Sequence, residues 1–207
     1  IGEGLDLFQA DALRYALAAA LPEQSDTDLS VEEIGRRVNE ELVATWGNLV
    51  NRVLSMVHKT CDGAVPERDG RTGDDEAVLA GVDVALATVT DQVERVELRA
   101  ALRTGMDAAA EVNAYLNATE PWKLATSDPG RARVVLGTAL AAVAGVRVAL
   151  SPYLPFSTEA LDDVFGPVES WERVEPAPGT PVGKPVPLFT KVDLDELLAD
   201  EAPATDG

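Results

Sequence analysis

Four residues in this chain have the types and spacing needed to hold a flat, polar ligand. Asn48 and Arg52 are four residues apart in a helical pattern, so their amide and guanidinium lie on one helix face. Pro121 and Trp122 stand where another helical pattern stops, and the restricted backbone of proline places the indole at a corner. An amide, a guanidinium and an exposed ring together are suited to reading an unstacked nucleic-acid base.

Each of these residues also has a purely structural interpretation. Asn48 and Arg52 could form the solvated face of an amphipathic helix, because every surface helix supplies such pairs. Trp122 could seal the core at a helix end, and Trp46, which lies on the apolar stripe, is expected to be a core residue. Spacing alone does not choose between these interpretations.

The charge of the chain limits where a polyanion could bind. Its 207 residues carry a formal net charge of −19. Residues 31–60 and 95–150 are the only segments without net negative charge, and no acidic residue lies between Thr45 and Thr60. A nucleic acid would therefore be repelled by most of the surface and tolerated mainly at the segments that carry the four residues above. The alternative is an acidic scaffold that binds proteins and whose charge serves solubility.

The sequence offers little for catalysis or metal binding. A single cysteine, Cys61, excludes an internal disulfide and a cysteine zinc site, and it favours a reducing compartment. The paired carboxylates at 32–33, 40–41 and 74–76 fall at helix starts or on solvated faces. The sequence has no glycine loop that could cradle a phosphate and no metal-ligand spacing. We therefore expect no catalytic residue, no metal site and no cofactor in this segment.

The hydrophobic pattern predicts an all-α fold. Apolar residues make up 46% of the chain and aromatic residues only 5%, which suits a bundle of closely packed helices. The most apolar segment, 134–150, is interrupted by Arg147 and is predicted to be a buried core helix rather than a membrane span. Between residues 167 and 187, six prolines replace the helical period, so this tail needs a surface to lie on. Helical patterns occupy residues 11–21, 31–57, 74–93, 98–116 and 128–150.

Two motifs give the sequence a specific resemblance. Asn-Leu-x-x-Arg at residues 48–52, followed by Asn-x-Tyr-x-x-x-x-Glu-Pro-Trp-x-Leu at residues 113–124, resembles the methionyl-tRNA synthetases, which are class I aminoacyl-tRNA synthetases. The Ala-rich, acidic composition is most similar to that of methionyl-tRNA synthetases from high-GC bacteria. The resemblance covers nearly the whole chain in the family's order, with supporting segments at residues 10–15, 150–155 and 183–189.

The resemblance implies a domain organisation. Residues 1–29 would be the end of the catalytic-domain connection and a linker, and residues 30–166 the α-helical anticodon-binding domain. Residues 167–207 would form an extended proline-rich tail that packs back on the bundle and the catalytic domain. We expect Val186, Leu188 and Phe189 to be the apolar anchors of this tail.

The resemblance also implies a function and its residues. The domain would bind methionine tRNA through its CAU anticodon, with the first base, cytosine, stacked on Trp122. Asn48 and Arg52 would hold that base, and Pro121 would shape the corner.

The family's ATP- and methionine-binding signatures are absent from the sequence, so methionine–tRNA ligase chemistry, with ATP and Mg, would belong to a catalytic domain outside it. Because the chain begins with Ile1, we expect a piece of a longer enzyme. That enzyme would be cytoplasmic, monomeric and free of membrane contact, and its catalytic domain would be a partner of this segment. The alternatives are the anticodon domain of another class I synthetase, a catalytically inactive paralogue, and the acidic helical scaffold.

Overall fold

The computed structural model describes residues 4, 7–21, 30–195 and 197. Over these residues the prediction of an all-α fold is confirmed: helices pack on one another, and the only strand-like pairing is an isolated bridge between Ala64 and Pro181. The helices are α1 (Ala10–Ala19), α2 (Val31–Arg37), a π-helix (Val38–Gly47), α3 (Asn48–Thr60), α4 (Gly73–Glu94), α5 (Leu98–Thr119), α6 (Pro121–Ser127), α7 (Pro129–Leu150), α8 (Pro155–Glu159) and α9 (Asp162–Phe165).

Helix α7 is the centre of the bundle and packs against α3, α4, α5 and α6. It begins at Pro129, and the side chain of Asp128 caps it by accepting a hydrogen bond from the Arg131 N–H at 3.0 Å. By length and composition α7 could cross a membrane, but 94% of its most apolar stretch is buried inside the bundle. It is therefore the core helix that the sequence predicted.

The long helical pattern that begins at Val31 forms one continuous rod with a change of helix type inside it. Ser30 caps the rod, and its hydroxyl accepts a hydrogen bond from the Glu33 N–H at 3.1 Å. The rod is α-helical as α2, π-helical from Val38 to Gly47, and α-helical again as α3. The prediction of a single α-helix here is wrong for the middle ten residues. Their hydrogen bonds span five residues instead of four, which widens each turn.

The corner between α5 and α6 depends on one unusual residue. Glu120 adopts a left-handed backbone conformation with φ of 45° and ψ of 54°, which ends α5. Pro121 then starts α6 at the first helical position, where its missing N–H costs nothing. The chain thus turns within a single residue, and Trp122 becomes the second residue of a short helix.

The described part of the proline-rich tail lies along the bundle. The Val65 N–H donates to the carbonyl of Thr180 at 2.9 Å, and the Val182 N–H donates to that of Gly63 at 2.7 Å. Phe189 is buried and Leu188 is partly buried against the core. Val186 is 79% exposed, so the prediction that it anchors the tail to the bundle is wrong. The predicted domain boundaries remain predictions, and residues 22–29 and 198–207 lie outside the described residues.

Candidate nucleic-acid interface

The structure brings Arg52 and Trp122 together from distant parts of the sequence. The guanidinium carbon of Arg52, in the middle of α3, lies 5.7 Å from the centre of the Trp122 ring. This is the distance of a cation–π contact. Trp122 is 44% exposed, while Pro121 beside it is buried. The proline therefore anchors the corner in the bundle, and the indole is offered to solvent instead of sealing the core.

Two asparagines of α5 fix the direction of the Arg52 side chain. Its Nη1 donates to Oδ1 of Asn113 at 3.1 Å, and its Nη2 donates to Oδ1 of Asn117 at 3.0 Å. The two amides are one helical turn apart, so they match the fork of the guanidinium. Both acceptors are neutral, and they orient the positive charge of Arg52 without cancelling it.

The amide of Asn113 also contacts the rod that carries Arg52. Its Nδ2 donates to the carbonyl of Thr45 and to that of Ala109, each at 3.2 Å. The side chain thus joins the π-helix, α3 and α5. In the sequence, Asn113 stands out only as the first residue of a motif, and Asn117 occupies one of the motif's unspecified positions. The available signal was the spacing of four between these amides on a predicted helix.

Asn48 lies on the same face of the rod as Arg52 because the two residues are four positions apart. It is exposed, one turn before Arg52 on the same rod, and its Nδ2 donates to the carbonyl of Ala44 at 3.2 Å. Of the residues predicted from the sequence, Arg52 and Trp122 are brought into contact with each other across two helices. Asn48 extends the polar edge of that pair by one turn. Trp46, by contrast, is 2% exposed and belongs to the core, as predicted.

A buried ion pair supports this end of the bundle. The Asp75 carboxylate is fully buried and accepts hydrogen bonds from Arg131 at 2.5 and 2.8 Å and from the Tyr115 hydroxyl at 2.5 Å. The backbone N–H of Thr72 donates to it at 2.7 Å. These bonds tie the start of α4 and the start of α7 to α5, on which Tyr115 lies between Asn113 and Asn117.

The electrostatics of this pair follow from its surroundings. Burial alone would raise the pKa of the Asp75 carboxyl, but hydrogen bonds from Arg131, the Thr72 backbone and Tyr115 outweigh it and hold that pKa well below its usual range. Burial, followed by the hydrogen bond to Asp75, raises the pKa of the Tyr115 hydroxyl. The sequence interpretation of Asp75 as a solvated residue at a helix start missed this burial. Asp75 does also complete the capping box with Thr72.

The assembled groups determine what the site can do. Amides, a guanidinium and an indole hold a ligand by hydrogen bonds and stacking. The exposed Lys123 is paired with Glu120 at 2.7 Å, so among the described residues it is Arg52 that supplies a positive charge without an acidic partner beside the ring. The geometry is that of a binding surface for a planar, polar and negatively charged ligand.

Two family models match the chain. A family model described as the anticodon binding domain of methionyl tRNA ligase matches residues 65–199. A second, described as tRNA synthetases class I (M), matches residues 1–54. Asn48 and Arg52 lie within the match at residues 1–54. Pro121 and Trp122 lie within the anticodon-domain match. Neither the other class I synthetases nor an unrelated scaffold gains support from these matches.

Relatives and solved structures give the same result. The methionine–tRNA ligases of Thermobifida fusca (strain YX) and Beutenbergia cavernae are each 40% identical to this chain, covering 94% of it and 38% and 37% of their own lengths. The structure of apo Mycobacterium tuberculosis methionyl-tRNA synthetase superposes with a TM-score of 0.84 at 28% identity, over 92% of this chain and 40% of that one. The chain spans about 38% of the length of the first relative. It belongs to the methionyl-tRNA synthetase family and carries the family's anticodon-binding domain.

Proposed function

We propose that this chain binds the CAU anticodon of methionine tRNA. The first base, cytosine, stacks on the exposed face of Trp122, and Arg52 and Asn48 donate hydrogen bonds to its edge. Pro121 holds the corner from which the ring projects. The observation that carries this proposal is the Arg52 guanidinium, held over the half-exposed Trp122 ring by two neutral amides.

Stacking and hydrogen bonding would contribute differently to recognition. An indole stacks on any base, so Trp122 supplies affinity of about 1–3 kcal/mol without selecting the base. Selection requires contacts to the base edge, which is accessible in a single-stranded loop. A wrong base would leave Arg52 or Asn48 unpaired, at a cost on the order of 1–3 kcal/mol for each lost pairing. Because Arg52 is already oriented by Asn113 and Asn117, little further ordering is needed on binding.

The parent enzyme would attach methionine to this tRNA. We propose that its catalytic domain uses ATP with Mg for this reaction and lies outside the present chain, and that the enzyme is a cytoplasmic monomer. The exposed Phe156 and Val186 border a cavity of about 470 Å³ that Gln9 and Phe189 also line. This apolar face lies beside the start of α1 and is where we expect the catalytic domain to contact the bundle.

The experiment measures binding of short anticodon stem-loop RNAs to the 207-residue chain at fixed salt concentration. Trp122→Ala should weaken binding of the CAU stem-loop about tenfold or more, because it removes the stacking surface. Trp171→Ala is the matched control, since Trp171 is 43% exposed and lies in the tail. It should leave the affinity unchanged. Equal losses in the two variants would remove Trp122 from the site.

A second variant separates base reading from general attraction. Arg52→Gln should reduce the preference for cytosine over uracil at the first anticodon position more than it reduces overall affinity. Arg95→Gln, at an exposed position in the α4–α5 turn, removes the same charge elsewhere. If Arg52→Gln lowered the affinity for both stem-loops equally, Arg52 would be a phosphate contact rather than a base reader.

A further inference from the structure

The tail and the rod exchange two hydrogen bonds at Asn39, which is the second residue of the π-helix. Nδ2 of Asn39 donates to the carbonyl of Val192 at 2.8 Å, and the Val192 N–H donates to Oδ1 of Asn39 at 2.9 Å. Both ends of one side-chain amide are thus paired with one residue of the tail. This pairing resembles a rung of a β-ladder and fixes the tail against the rod.

A second contact lies at the other end of the π-helix. Phe189 is 5% exposed, and a Cβ added to Gly47 would stand only 3.2 Å from Cδ2 of its ring. Glycine at this position therefore lets the ring pack directly on the last residue of the π-helix, immediately before Asn48. At residue 35, in α2, an added Cβ would stand 2.6 Å from Leu194. The tail thus lies against the rod from α2 to the start of α3.

The helix type of this segment controls where the later residues point. An α-helix advances roughly 100° per residue, and a π-helix, with about 4.4 residues per turn, advances roughly 82°. This difference accumulates over the π-helical turns within Val38–Gly47, so the segment rotates the residues that follow it about the axis of the rod. The direction of Arg52 relative to α5 therefore depends on the π-helix being maintained. Such segments are uncommon and need tertiary contacts to hold them.

We propose that Asn39 and Phe189 are positioning residues for the base-reading site. By holding both ends of the π-helix, the tail keeps Arg52 facing Asn113 and Trp122. This inference rests on the proposed function for its RNA readout, but the coupling of tail to rod is a property of the free protein. Two hydrogen bonds from other helices hold the middle of the π-helix. The Tyr15 hydroxyl donates to the Glu41 carboxylate at 2.7 Å, and the Asn113 amide donates to the Thr45 carbonyl.

The test compares two variants with a control on the same tail. Asn39→Ala and Phe189→Ala remove the two contacts, while Val186→Ala shortens an apolar side chain that is 79% exposed. Hydrogen exchange is measured for residues 38–52 and for the tail. In the two variants we expect faster exchange in residues 38–52 and a preference for cytosine that falls about threefold or more. The Val186→Ala control should match the wild type in both measurements.

A further variant covers the case in which Asn39→Ala or Phe189→Ala does not fold. Gly47→Ala removes no hydrogen bond but places a methyl group against the Phe189 ring. It should lower the preference for cytosine, and combining it with Phe189→Leu should restore that preference, because the smaller side chain makes room.

The outcomes separate the two proposals. Faster exchange confined to the tail, or equal loss of affinity for the two stem-loops, would overturn the positioning role. If the wild-type chain did not prefer the CAU stem-loop, the proposed function would fail, while the exchange of residues 38–52 would still decide whether the tail maintains the π-helix.

Discussion

Replacing Asp75 by asparagine removes one negative charge from the interior of the bundle and leaves its shape nearly unchanged. The wild-type carboxylate accepts bonds from Arg131, Tyr115 and Thr72. The amide of asparagine has a single acceptor oxygen, so it can accept a hydrogen bond either from the Thr72 N–H or from the Tyr115 hydroxyl, but not from both as the carboxylate does. Whichever of the two it accepts, one nitrogen of Arg131 loses its acceptor. Arg131 itself is only 23% exposed and keeps its charge.

The cost of this change follows from leaving a largely buried guanidinium without its partner. Breaking a buried pair by removing one charge typically costs about 3–5 kcal/mol. The amide retains part of the hydrogen bonding, so we expect the free energy of unfolding to fall by about 3 kcal/mol. For a protein of this size, that corresponds to a melting temperature lower by about 6–12 °C.

The assay is thermal and urea unfolding followed by circular dichroism, with Asp74→Asn as the control. Asp74 is the adjacent residue in the same helical turn, and it is exposed. Its substitution removes the same charge one residue nearer the start of α4, so it should cost only about 0.3–1 kcal/mol through the helix dipole. The difference between the two variants isolates the buried ion pair.

The pH dependence gives an independent check. In the folded protein the pKa of the Asp75 carboxyl lies below its value of about 3.9 in an unfolded chain. The ionised group therefore contributes stability above about pH 4, and that contribution is lost as the pH falls through the folded-state pKa. The stability gap between wild type and Asp75→Asn should be full at pH 7 and shrink below pH 4. An equal cost at Asp74 and Asp75, or a gap that stays constant to pH 3, would refute the reasoning.

Other residues give predictions of the same kind. Arg147 is 3% exposed and binds the Thr158 and Gly166 carbonyls, so Arg147→Met should cost about 3 kcal/mol or more and speed hydrogen exchange in residues 155–166. Burial raises the pKa of Cys61 to about 11, so at pH 8 its thiol should react with a disulfide reagent only after denaturant is added. The exposed ion pair of Lys123 with Glu120 should contribute under about 1 kcal/mol, which Lys123→Gln measures by urea unfolding.

Local signals predicted much of the fold. The apolar periodicity indicated the long helices, Ser30 and the Asp128–Pro129 pair are residue types typical of helix starts, and the apolar segment 134–150 indicated the core helix. These features act within one or two turns, so the sequence carries them directly. The corner at Pro121 was predicted for the same reason, although the left-handed Glu120 that makes it was not.

Long-range pairings could not be read in this way. The contacts of Arg52 with Asn113 and Asn117 join residues more than 60 positions apart. The buried pair of Asp75 with Arg131 spans 56 positions, and Asp75 looks like its exposed neighbours in sequence. A charged residue at a helix start is explained equally well by water and the helix dipole. Only packing against α5 and α7 shows that this one is buried.

The π-helix shows why periodicity alone did not establish the direction of the site. Its four buried residues are Val38, Leu42, Val43 and Trp46, and they lie on one face of the helix at either the α-helical or the π-helical period. The apolar stripe therefore fits either helix type, while the two types turn Arg52 in different directions about the axis of the rod. The choice is made by groups outside the segment, because Asn113 binds the Thr45 carbonyl and the tail packs at both ends. A motif of two residues on one helix face thus predicts the donors of the proposed base-reading site, and the packing of the surrounding chain decides where they point.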